Sequence, residues 1–85
     1  MDKPIRLSGH AYEQLAYRGV TESEVIDCIR DGDWQPAELG RLESSKDFPY
    51  EAEWNGAYYA TKRVRPIFVE EMTEIVVVTV YSYYF

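Results

Sequence analysis

Residues 75–84 read IVVVTVYSYY, a run of β-branched and aromatic side chains with no charge in it. Such a run favours a strand. Alternation puts Ile75, Val77, Thr79, Tyr81 and Tyr83 on one face and Val76, Val78, Val80, Ser82 and Tyr84 on the other. Both faces are apolar, so the strand is expected in the middle of a sheet with cover on both sides. A pair of short helices can cover one face. The other must meet loops, a bent sheet or a second subunit.

Upstream of this strand the period is also two. Glu51 to Trp54, then Asn55-Gly56, then Ala57 to Val64 reads as a hairpin on an Asn-Gly turn. Pro66 requires an edge position, a bulge or a break, and Ile67 to Glu70 resumes as strand. Glu71 to Glu74 turns the chain back. Leu39 to Glu43 is expected as a short strand with Arg41 to one side, and Asp47-Phe48-Pro49 as a turn or irregular link.

The front of the chain is helical. Ser8 is placed to cap a helix from about Gly9 to Arg18, with Gly19 as its left-handed stop. Thr21 and Glu24 have capping-box spacing, and Val20 and Val25 flank them as a hydrophobic staple. Val25, Ile26 and Ile29 make the apolar stripe of that second helix, which ends at Gly32. The expected fold is α+β: an N-terminal helical hairpin packed on a twisted, mainly antiparallel sheet of about four strands, one domain over residues 1–85.

Composition narrows the function. Fifteen acidic residues against nine basic ones give a net charge of -6, which argues against a general nucleic-acid binder while leaving room for a local basic patch. Cys28 is the sole cysteine, so neither an internal disulfide nor a cysteine-based zinc site is available. It sits among Val25, Ile26 and Ile29 and reads as buried and inert. The longest apolar stretch is far too short for a bilayer, and residues 1–4 carry no apolar signal-peptide core. A soluble cytoplasmic protein with no metal, no cofactor and no membrane partner is expected.

Three features carry possible chemistry. His10, the sole histidine, lies in the first helical turn, with Gln14 and Tyr17 within about 40° of it around the axis and Arg18 about 80° away. It is either a general acid or base or an ordinary helix-start residue. Lys62, Arg63 and Arg65 cluster in an otherwise acidic chain. Alternation gives Arg63 and Arg65 one face and Lys62 the other. They hold a phosphate, or they pair with Glu51, Glu53, Glu70 or Glu71 across the ladder. The aromatics Tyr58, Tyr59, Tyr81, Tyr83, Tyr84 and Phe85 stack on bases, or pack a core or a subunit interface.

The run Ser8-Gly9-His10-Ala11, then Arg18-Gly19-Val20-Thr21, then Glu24-Val25, resembles the opening of domain-of-unknown-function family 4258. The stretches from Tyr59 to Glu70 and from Ile75 to Tyr81 are similar to that family's closing strands. The family is grouped with the barnase–EndoU–colicin–RelE superfamily of metal-independent ribonucleases and toxins of toxin–antitoxin pairs. The resemblance implies a RelE-like fold and a ribonuclease site in which His10, Arg18 and Lys62 are catalytic. Arg65, Arg63 and Tyr81 would then bind substrate. His10 would move the proton, Lys62 with Arg18 or Arg65 would stabilise the pentavalent phosphate, and Tyr81 would orient the RNA. Members often have a basic residue where this chain has Gln14, so one cation is missing here.

Two functions follow from the sequence. One is the ribonuclease or toxin just described, with RNA as substrate and an antitoxin as partner. The other is a non-catalytic module of the same fold that binds a protein, or a second copy of itself through the aromatic sheet face. The first requires His10 to lie within one phosphate's reach of Lys62.

Overall fold

The computed structural model describes residues 3–85. Its helices form where their end signals are strongest. α1 spans Gly9–Arg18. The Ser8 hydroxyl accepts from the Ala11 amide at 3.1 Å, satisfying one of the first-turn donors that a helix leaves unpaired. At its other end Gly19 adopts a left-handed φ of 67°. A Cβ there would also lie 2.5 Å from the Trp54 ring and from the Tyr84 hydroxyl, so glycine is required twice over. α2 spans Glu22–Asp31 behind the complete Thr21–Glu24 capping box, with both reciprocal hydrogen bonds formed. Val20 and Val25, on either side of that box, are both in the core.

Among the described residues the sheet has six strands: β1 (Ile5–Leu7), β2 (Gln35–Pro36), β3 (Leu42–Glu43), β4 (Lys46–Trp54), β5 (Ala57–Glu70) and β6 (Ile75–Tyr84). The order is β1-β6-β5-β3-β2, with β4 also on β5. β5 is the spine. β6 runs antiparallel along one side of it, and β4 and then β3 share the other. β1 adds to β6 in parallel over Ile75 to Val77 only. The fold is therefore α+β and mainly antiparallel, as expected, but with six strands rather than about four. The additional strands are two or three residues long, too short to show a period of their own.

Three local expectations are corrected. Leu39 to Glu43 is not one strand: Glu38–Gly40 forms a 3-10 turn in which Leu39 takes a φ of 60°, and only Leu42 and Glu43 pair. Asp47-Phe48-Pro49 is no turn but lies in β4 opposite Arg63, Lys62 and Thr61. Pro49 is tolerated there because β4 is an edge strand, and the irregularity moves to a bulge where Glu51 takes a φ of 49°. The single alternation along β6 also fails. Ile67 pairs with Thr79 and Phe68 with Val77, which leaves Val78 as an extra residue. This bulge swaps the faces, so Ile75 and Val77 share the helix side with Val80, Ser82 and Tyr84.

Pro66 lies well inside β5, opposite Val80. Its carbonyl accepts from the Ser44 amide, so its ring nitrogen faces the same way, toward the junction of β3 and β4, and no bond to β6 is lost. The Asn55-Gly56 turn forms as expected, both residues at positive φ. The core lies between the helices and the sheet: Ala11, Val25 and Ile29 meet Val64, Phe68, Val77 and Val80. No helix among the described residues is long and apolar enough to cross a membrane.

Candidate binding face

The expected site residues fall on two sides of the sheet. Lys62 is on the helix side and 5% exposed. Its Nζ donates to the Gly19 carbonyl at 2.9 Å and to Glu24 Oε1 at 2.8 Å, and lies 5.3 Å from the centre of the Tyr50 ring. It thus closes the end of α1 and neutralises the capping-box carboxylate of α2. This polar knot ties both helices to β5. Trp54 stacks on Tyr84 beside it, with ring centres 4.8 Å apart. Burial holds the Tyr84 hydroxyl above its ordinary pKa.

His10 is exposed, in the first turn of α1, and its ring makes no hydrogen bond among the described residues. At about 1.5 Å of rise per residue the helix sets His10 roughly 13 Å from Gly19, where Lys62 is bound. The structure therefore does not bring His10 and Lys62 to one phosphate.

Arg63, Arg65 and Tyr81 come together on the open side, away from the helices. Arg63 makes a forked pair with Asp47, at 2.6 and 3.0 Å. That pair holds the Asp47 carboxyl below its ordinary range. Arg65 is paired with Glu43 and donates to the Tyr83 hydroxyl at 2.7 Å. Its guanidinium carbon is 5.2 Å from the centre of the Tyr81 ring. Arg18 reaches the same ring from the end of α1, at 5.6 Å. Two guanidiniums therefore lie against one tyrosine ring, each within cation–π range.

A groove of about 550 Å³ continues from Tyr81 along this side, walled by Leu39, Arg41, Arg65, Ile67 and Thr79. Leu39 is 85% exposed and in a left-handed backbone conformation, two features that packing does not explain. Six of the nine basic residues form ion pairs. Arg18, Arg30 and Arg41 form none among the described residues, and two of these three border Tyr81 or its groove. Glu38 and Glu43 also line it, the second spent on Arg65.

Two contributors escaped the sequence reading. Gln14 was legible only as a neighbour of His10 on the helix and as a missing cation, yet its Oε1 accepts from the Val80 amide at 2.9 Å. Leu39 lay inside an expected strand; the Gly40 beside it was the available sign of a turn.

No family model, curated protein or solved structure matches this chain.

Proposed function

We propose that this chain is a RelE-like domain working as a non-catalytic interaction module in the cytoplasm, and that it engages a protein partner at the open side of its sheet around Tyr81. The observation that carries this reading is the placement of Lys62. The lysine that a ribonuclease site would need is buried in the helix–sheet interface, bonded to Glu24 and Gly19, at the far end of α1 from His10. The groups left available are of a binding kind: Arg41, Tyr81 and the exposed Leu39 around the groove, and Arg18 against Tyr81, both arginines without a carboxylate partner among the described residues. A cytoplasmic setting agrees with the single buried thiol of Cys28.

The ribonuclease or toxin reading keeps one observation in its favour. Arg18 and Arg65 on the Tyr81 ring would suit a base stacked beside a phosphate. One experiment separates the two. End-labelled RNA is incubated in EDTA with the wild-type protein, His10→Ala and Arg65→Ala. The interaction-module reading expects no cleavage above the background of a mock purification. Cleavage that Arg65→Ala or His10→Ala abolishes would overturn it in favour of the ribonuclease.

A further inference from the structure

The hydrogen-bond parity of β6 shows which way its backbone faces. Thr61 and Phe85 exchange both backbone hydrogen bonds across β5 and β6. In an antiparallel ladder such pairs recur every second residue, so Arg63–Tyr83 and Arg65–Tyr81 are the bonded pairs that follow. Lys62–Tyr84, Val64–Ser82 and Pro66–Val80 are the unbonded ones. The amides and carbonyls of Val80, Ser82 and Tyr84 must then point away from β5, to the outer edge of the sheet. The Gln14 bond to the Val80 amide, coming from α1, agrees with this direction. β1 stops at Val77, so nothing among the described residues pairs with the backbone of Ser82 and Tyr84.

Other edges of this sheet are blunted. β4 carries Pro49, the bulge at Glu51 and the charges of Asp47, Glu51 and Glu53. β2 is two residues long and ends in Pro36. The upper edge of β6 has no proline, no bulge after Val78 and no charged residue of its own. The charge beside it is Arg18, which has no carboxylate partner among the described residues and lies against Tyr81.

We propose that this edge accepts an extended, acidic segment of a protein partner as an added strand, with a carboxylate of that segment on Arg18. The proposal rests on the interaction-module reading and names the chemistry of the partner. Main-chain bonds to Ser82 and Tyr84 supply the pairing, up to the point where Gln14 already holds the Val80 amide, and Arg18 supplies the preference for acidic side chains. A second copy of this chain fits less well. Antiparallel pairing of two β6 strands about Ser82 would bring together two Arg18 residues, since each Arg18 carbonyl accepts from its own Ser82 hydroxyl at 2.8 Å. Like charges would then meet at the symmetry axis.

The test uses the full chain, isotopically labelled for NMR, and two capped synthetic ten-residue peptides. One alternates glutamate with valine, the other lysine with valine. The glutamate peptide is expected to shift the Ser82 and Tyr84 amides most and slow their hydrogen exchange. It should bind roughly fivefold more tightly than the lysine peptide, the size of one exposed ion pair. Arg18→Glu should reverse that preference. The Arg18 side chain makes no hydrogen bond among the described residues, and if the variant does not fold, the two peptides on wild type still decide. Shifts confined to Ile67 and Thr79 would overturn the edge assignment and leave the interaction module standing. No binding of either peptide at millimolar concentration, or equal binding of both, would overturn the proposal. So would a dimer in sedimentation whose Ser82 and Tyr84 amides are already protected. RNA cleavage in EDTA would instead remove the reading beneath it.

Discussion

The ammonium of Lys62 lies 2.8 Å from Glu24 Oε1, with 7% of the lysine side chain and 21% of the glutamate side chain exposed. The two ends of this pair are not equivalent. Removing Lys62 leaves a carboxylate that water can still reach. Removing Glu24 leaves a buried ammonium with no carboxylate, only the Gly19 carbonyl and the Tyr50 ring, and it breaks the capping box as well. Glu24→Ala should therefore cost about 2–3 kcal/mol, whereas Lys62→Met, which fills the space with an apolar chain, should cost about 1 kcal/mol or less. Urea unfolding of the two variants measures the difference. A larger loss for Lys62→Met would mean that the ammonium, rather than its carboxylate, holds the interface.

Gly19 carries a second constraint in the same place. An alanine there must take a φ of 67° and put its Cβ into the Trp54 ring and the Tyr84 hydroxyl. The conformational penalty and the overpacking together should reach about 3 kcal/mol. Gly40, also at positive φ but with open space around it, should lose only the conformational part on the same substitution. Thermal melts of Gly19→Ala and Gly40→Ala check the order.

Acid should act in part through Asp47, as through Glu74, which Arg6 holds below its ordinary range in the same way. The hydrogen bond and charge pairing of Asp47 with Arg63 lower its folded-state pKa below the ordinary 3.8. A depressed carboxyl contributes stability that is complete above its unfolded pKa and is lost as pH falls through the folded value. The pair is exposed on both sides, so the contribution is small. Asp47→Asn should leave the melting temperature at pH 7 nearly unchanged and flatten its decline below pH 3.8. A variant that melted with the wild-type slope in acid would place the acid sensitivity elsewhere.

Cys28 should be silent in the native state. Its side chain is fully buried, in contact with the Ser44 hydroxyl and the Val64 carbonyl, and burial raises its pKa. Iodoacetamide at pH 8 should label it only in urea, at the rate of an ordinary thiol. Native labelling within minutes would show that α2 opens away from β5.

The helices were legible because each end carries its own chemistry: Ser8, Gly19, the Thr21–Glu24 box. The Asn55-Gly56 turn was legible for the same reason. Alternation correctly separated Lys62 from Arg63 and Arg65, since β5 keeps one register through that stretch. It failed along β6 because Val-Val-Val-Thr-Val satisfies either face, and the bulge at Val78 answers to Phe68 on the neighbouring strand. The expected ladder pairing of Arg63 was right in kind but met Asp47, a partner hidden by reading Pro49 as a turn. His10 and Lys62 were joined through a family resemblance, and the length of α1 sets them apart.

Binding at this end of the sheet requires that the upper edge of β6 be free. Native-state hydrogen exchange reads that directly, residue by residue. Tyr81 and Tyr83, bonded to β5, should be protected at least roughly a hundredfold more than Ser82 and Tyr84, whose amides face outward. Equal protection along residues 81–84 would mean that the edge is already covered, and the binding face would have to be sought elsewhere.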